Sequence, residues 1–104
     1  MPRTKEKRRS LFGTLLETYH KEAGFASQVR LCRELNLATD YAIDCSVLSK
    51  YMTGAHGVPV SFIVRVAVVL KLGQEKRDLL FLSYTYDVLE TLLVQYLAEV
   101  GNNG

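Results

Sequence analysis

"DCSVLSKYMTGAHGVP", residues 44–59, is the stretch whose reading decides the fold. Asp44 suits a helix N-cap, because its side-chain oxygen can accept an amide that the first turn leaves unpaired. Gly54 suits the stop, since it takes left-handed backbone without steric cost, and Gly57 and Pro59 follow within five residues. Between them Val47, Leu48 and Tyr51 fall on one side of a helix, and Cys45, Ser46, Ser49 and Lys50 on the other. The stretch predicts a short, nearly neutral helix that ends sharply and turns small polar groups outward.

Four more segments carry helical periodicity, and none alternates convincingly as a strand. In "SLFGTLLETYHKEAG", Leu11, Leu15, Leu16 and Tyr19 recur at helical spacing, with Ser10 as cap and Gly24 as stop. In "SQVRLCRELNL", Ser27 caps a helix whose stripe is Val29, Leu31, Cys32 and Leu35, leaving Gln28, Arg30, Arg33 and Glu34 more exposed. Beyond Pro59, the run from Phe62 to Leu70 is apolar almost all round. It predicts a central buried helix capped by Ser61 and ending near Gly73, with a strand as the alternative because of its β-branched density. The last segment, "QEKRDLLFLSYTYDVLETLLVQYLAEV", holds neither Pro nor Gly. Leu79, Leu82, Tyr86, Leu89, Leu93, Tyr96 and Val100 are spaced by three and four there, the repeat of a coiled-coil seam, while Phe81, Val88 and Leu92 lie off it. A helix with two apolar faces needs two partners, its own core and a second copy of the chain.

The 104 residues are the size of one domain, and 48% apolar with 23% charged residues is an ordinary globular composition. Two cysteines and no apolar leader suggest a reducing cytoplasm, and the longest apolar run, "FIVRVAVVLKL", is interrupted by Arg65 and falls short of a membrane span. The net charge of +2 hides an uneven distribution. Residues 1–9 carry Arg3, Lys5, Lys7, Arg8 and Arg9 against Glu6, whereas the part from Tyr51 onward is about neutral. A basic arm on a neutral body suits a polyanion such as nucleic acid.

Catalysis finds little support. His20 and His56 sit in different segments, and there is no Cys-x-x-Cys, glycine-rich phosphate loop or serine elbow. Cys32 falls on an inward stripe and reads as a core residue, and Cys45 as the better exposed thiol. No metal site, cofactor or enzyme is expected. A short neutral helix with small polar residues is, in contrast, well shaped for the DNA major groove, where bulk near its N-terminus must be limited.

In this order the segments resemble the Cro and phage-repressor type of helix-turn-helix protein, the xenobiotic-response-element family of bacterial regulators. The likeness runs from Leu11 to about Leu82. It rests on the Leu-Phe-Gly opening of helix one, "SQVRLCRELNL" for helix two, "SVLSKYMTG" for the recognition helix with its Gly stop, a Pro soon after, and "VAVVLKL" for helix four. Two features depart from that pattern. About six extra residues centred on "ATDYAI" enlarge the turn between helices two and three, so either helix two extends or the third helix starts earlier, from an Asp40 cap. Met52 stands where the family commonly has Glu, and the Pro comes one residue late.

The resemblance implies an all-α, lambda-repressor-like five-helix bundle that binds double-stranded DNA as a cytoplasmic, nucleoid-associated regulator, most simply a repressor. It assigns base-facing positions to Cys45, Ser46, Ser49 and Lys50. Backbone contacts fall to Ser27, Gln28, Arg30, Thr53, His56 and, in the arm, Arg8 and Arg9. No Arg, Asn or Gln stands on the reading face, so strong bidentate discrimination is missing, and specificity would come from a homodimer on an inverted repeat. The expected organisation is a basic flexible arm (1–9), a helix-turn-helix domain (10–76), a helix (77–100) that dimerises through Leu82, Tyr86, Leu89, Leu93, Tyr96 and Val100, and a frayed tail (101–104). The rival expectations are a protein-interaction adaptor or antirepressor that kept the fold without DNA binding, and the antitoxin of a toxin pair. Both would use the long helix on a protein partner.

Overall fold

In a computed structural model, described over residues 10–38, 43–54 and 57–103, the chain is all helical and no strand occurs among the described residues. The helices are α1 (Leu11–Glu22), α2 (Gln28–Ala38), α3 (Cys45–Thr53), α4 (Val60–Val69) and α5 (Gln74–Asn103). The arm (1–9), residues 39–42 with Asp40, and residues 55–56 with His56 lie outside the described residues.

Local chemistry sets most helix ends. Ser10 caps α1, its hydroxyl oxygen accepting from the Gly13 amide, and Ser27 caps α2 by accepting from the Arg30 amide at 3.1 Å. Helix α1 closes with paired bonds from Gly24 N–H to the Lys21 carbonyl and Phe25 N–H to the His20 carbonyl. The buried His20 ring reinforces that end, sharing a 2.7 Å hydrogen bond with the Phe25 carbonyl. Helix α4 closes with the same pair of bonds, from Lys71 to Val68 and Leu72 to Ala67, but its left-handed position is Lys71 at φ 56°. A lysine there bears a steric cost that glycine avoids.

The core is one cluster to which every helix contributes: Phe12 and Leu16 from α1, Leu31 and Leu35 from α2, Leu48 and Met52 from α3, Phe62 and Val66 from α4, and Leu80 from α5. Helix α1 packs on α3 and α5, α2 on α3 and α4, and α4 on α5. The α1–α3 approach is so close that a Cβ on Gly13 would stand 1.8 Å from the Met52 carbonyl oxygen. Met52 is therefore a core residue whose carbonyl meets another helix, which accounts for an apolar residue at this position.

Several expectations change. Val29 is exposed, because the buried stripe of Leu31, Cys32 and Leu35 is centred about a third of a turn away round α2. Helix α4 is buried on one face only: Phe62, Ile63, Val66 and Ala67 are covered, while Val60, Val64 and Val68 form an exposed i, i+4 stripe. Its N-cap is Pro59 without a side-chain bond, not Ser61, and it ends at Val69. Helix α5 begins at Gln74, three residues ahead of the expected 77, and runs through Gly101 and Asn102 to Asn103, past the expected end at 100.

Two substitutions test these contacts. Gly13→Ala is expected to lower stability by about 2–3 kcal/mol, a fall in Tm of roughly 10 °C or more for a domain of this size, because the obstructing atom is backbone. Lys71→Gly is expected to raise stability by about 0.5–1 kcal/mol by removing the left-handed penalty. Thermal and urea unfolding followed by circular dichroism reads both.

Candidate nucleic-acid interface

Helix α3 has nine residues and is fixed at both ends. The Asp44 side chain accepts from the Ser46 amide at 3.1 Å, and Gly54 closes the helix at φ 83° with its N–H bonded to the Lys50 and Tyr51 carbonyls. Leu48, Tyr51 and Met52 are buried and Val47 is half-buried. Cys45, Ser46, Ser49 and Lys50 are all exposed, so one polar face of α3 lies open to solvent. Against the face stands a rigid inner surface, including an edge-to-face contact of Tyr51 with Phe62 at 4.9 Å between ring centroids.

The placement of α3 against α2 depends on a device that periodicity does not reveal. Helix α2 extends to Ala38, which takes up part of the extra length, and α3 starts from Asp44 rather than Asp40. The Asn36 amide then brackets Ile43. Its Nδ2 donates to the Ile43 carbonyl at 3.0 Å and its Oδ1 accepts from the Ile43 N–H at 2.8 Å, satisfying a buried residue's backbone through a side chain. The Cys32 thiol donates to the same carbonyl at 3.6 Å. Burial pushes the Cys32 thiol up to about 11, with a hydrogen bond from its S–H to Cys45 and the negative charges of Cys45 and Asp44 acting in the same direction. Cys32 is thus an inert core thiol, and Cys45 is the exposed one.

The remaining assigned positions divide. Ser27 is exposed and Gln28 half-buried at the N-terminal end of α2, where unpaired amides and the helix dipole favour an anion. Arg30 is engaged by its neighbours, since its Nε donates to Glu34 at 3.1 Å and its guanidinium lies 5.4 Å from the Phe25 ring centroid. Thr53 is poorly placed for a phosphate: it is half-buried, its hydroxyl donates to the Lys50 carbonyl, and the carboxylates of Asp87 and Glu90 line the same groove. Of the base-facing and backbone sets, the structure gathers Cys45, Ser46, Ser49 and Lys50 on one open face, and sets Thr53 apart.

The point where the arm joins the bundle is also defined. The Ser10 hydroxyl donates to the Met52 carbonyl at 3.4 Å, and Ser10 Cβ lies 3.3 Å from where a Cβ of Gly54 would stand. Residue 10 therefore abuts the C-terminal end of α3. No group of three or more His, Cys, Asp or Glu side chains arranged to hold a metal occurs among the described residues, and no helix among them is long and apolar enough to cross a membrane. Comparison of the chain with known protein families, with curated proteins and with solved structures finds no match in any of the three.

The thiol assignments are open to direct measurement. Iodoacetamide should alkylate the native protein at Cys45 and reach Cys32 only after unfolding. Burial raises the folded thiol above its ordinary value of 9.0 to about 11. Below 9 both folded and unfolded chains hold the proton; as pH rises from 9 through 11 only the unfolded chain releases it, so this contribution to stability is lost over that window. Tyr19, raised by burial despite the opposing Lys76, adds to the alkaline loss from 10 upward. Urea titrations between pH 8 and 11 should show the decline, and Cys32→Ala should make it shallower.

Proposed function

We propose that this protein is a sequence-directed DNA-binding regulator of the helix-turn-helix type, with α3 as the recognition helix. It acts as a homodimer on an inverted repeat and most simply represses by excluding polymerase. The observation that carries this reading is the open polar face of α3, where Cys45, Ser46, Ser49 and Lys50 are exposed together on a helix held by α1 and α2. Small side chains let the N-terminal end of α3 enter a major groove, Lys50 reaches a guanine edge or a phosphate, and Ser27 and Gln28 fix register on the backbone.

The electrostatics favour entry by that end of α3. Asp87 and Glu90 lie beside its C-terminal end and oppose a phosphate there. Ser10, which follows Arg8 and Arg9 in the sequence, stands at that same end. One cation on the reading face gives little discrimination per half-site. Two half-sites about one helical turn (~34 Å) apart recover it through the two-fold axis.

A second reading, a protein-interaction adaptor, draws on the exposed Val60, Val64 and Val68 stripe of α4, an apolar patch that the DNA reading leaves unused.

Fluorescence anisotropy on a labelled mixed-sequence duplex separates the two. A DNA-binding protein should lose roughly a thousandfold in affinity between 50 and 200 mM salt if about six phosphates are neutralised, and removing residues 1–9 should flatten that slope. Ser46→Glu and Lys50→Glu should abolish binding while the circular dichroism spectrum stays unchanged. Absence of binding by the unmodified chain, or binding indifferent to both substitutions, selects the adaptor.

A further inference from the structure

Helix α5 meets its own bundle through Leu80, Ser83, Tyr84 and Asp87, a face with the i, i+3, i+4, i+7 spacing of one helical side. At about 100° per residue, Leu82, Tyr86, Leu89, Leu93, Tyr96 and Val100 lie on the opposite side. All six are exposed, between 48% and 64%. The chain's own bundle occupies the far side of the helix and cannot cover them. From residue 88 onward nearly every position is exposed; Val88, Thr91 and Leu92 still edge a groove on the bundle, and beyond Leu92 the helix projects from it.

The geometry points to an antiparallel pairing of α5 with α5 of a second copy, centred near Thr91. This inference rests on the homodimer of the proposed function and specifies how it is built. In the register that sets Leu89 against the partner's Leu93, Tyr86 meets the partner's Tyr96 and Leu82 meets the partner's Val100. Every one of the six seam residues then finds another seam residue of similar bulk. Leu92, flanking the seam, meets its own counterpart across the two-fold axis and continues into the apolar groove of about 230 Å³ beside Tyr84 and Val58.

One further observation favours a pair, and two favour this direction. Covering the six residues with flanking Leu92 and Leu97 removes roughly 800 Å² per copy, the area of a standard stable interface. The projecting half of each α5 is laid along the anchored half of its partner, whereas a parallel pair would leave both projecting halves to support only each other. After Arg77, the charged residues of α5 are Asp78, Asp87, Glu90 and Glu99, all acidic. Antiparallel pairing sets the two helix dipoles head to tail, with the carbonyl end of each helix beside the amide end of the other.

Single-cysteine variants decide the direction. In a Cys45→Ser background, where Cys32 remains buried, Leu82→Cys and Val100→Cys are prepared separately and oxidised with copper-phenanthroline. The substituted positions are exposed, so folding is left intact. The mixture should give a disulfide-linked heterodimer identified by mass, and each variant alone almost none, because like positions then stand about 27 Å apart. Sedimentation of the unmodified chain should give twice 11.7 kDa. Self-linking of Val100→Cys as efficient as the mixture would establish a parallel pair and overturn the inference, and a single-chain mass would overturn it outright. The duplex titration with Lys50→Glu does not depend on how α5 pairs, so the two claims fail separately.

Discussion

The carboxylate of Asp87 holds the arrangement together. It reaches from the middle of α5 to the first turn of α1, accepting from the Leu11 amide at 3.0 Å and the Phe12 amide at 2.9 Å. With the Ser10 cap, these bonds satisfy the amides that a helix start leaves unpaired, and a charged acceptor contributes about 1.5–3 kcal/mol per bond. Its geometric effect is larger than its energy. Leu80 and Ser83 are the buried side chains of a 30-residue helix, so apolar packing alone constrains α5 weakly. A slip of one residue would rotate the helix by about 100° and bring a different face to the bundle. Asp87 excludes that slip, and so determines which face of α5 is presented outward.

The same first turn of α1 also locates α3. Gly13 admits the Met52 carbonyl at a distance no side chain would allow, and Ser10 bonds to that carbonyl. On the other flank, Asn36 and Cys32 hold Ile43 immediately before the Asp44 cap. Helix α3 is therefore immobilised from both sides while its polar face takes no part in the packing. This division suits a surface meant for another molecule: rigidity comes from backbone and buried contacts, and small side chains face outward without ordering costs of their own.

What the sequence disclosed followed the range of the interactions involved. Asp44, Gly54, Ser10, Ser27 and Gly24 act within four residues of themselves, and the helix ends they set could be read directly. Helix α4 could not be oriented, because eight apolar residues in the nine from Phe62 to Leu70, broken only by Arg65, carry no periodicity to separate the buried Phe62 and Val66 from the exposed Val64 and Val68. The three-four spacing of Leu82, Tyr86, Leu89, Leu93, Tyr96 and Val100 on α5 was legible, but not that these residues are exposed while Leu80 anchors the helix. Asp87 and Asn36 were missed for a shared reason. Each is a polar residue within a helix whose partner lies 75 or 76 residues away, or beyond a turn of unpredictable course. Met52 did give a signal, as an apolar residue at a position where the resembled family has Glu, and its burial explains that departure.

The projecting half of α5 links association to folding in the proposed dimer. Residues 93–103 form about three turns beyond the last groove shared with the bundle, below the length at which an isolated helix is stable in water. Their order must then come from whatever covers Leu89, Leu93 and Tyr96, so pairing and completion of the helix become one equilibrium. That equilibrium begins just beyond Asp87, whose carboxylate makes the last described hydrogen bonds from α5 to its own bundle. The N-terminal end of α1 and the arm root at Ser10 share this junction with the C-terminal end of α3. The elements assigned to DNA and those assigned to the second copy therefore meet within two turns of a single carboxylate, which gives a dimeric regulator a physical route for binding at one surface to steady the other.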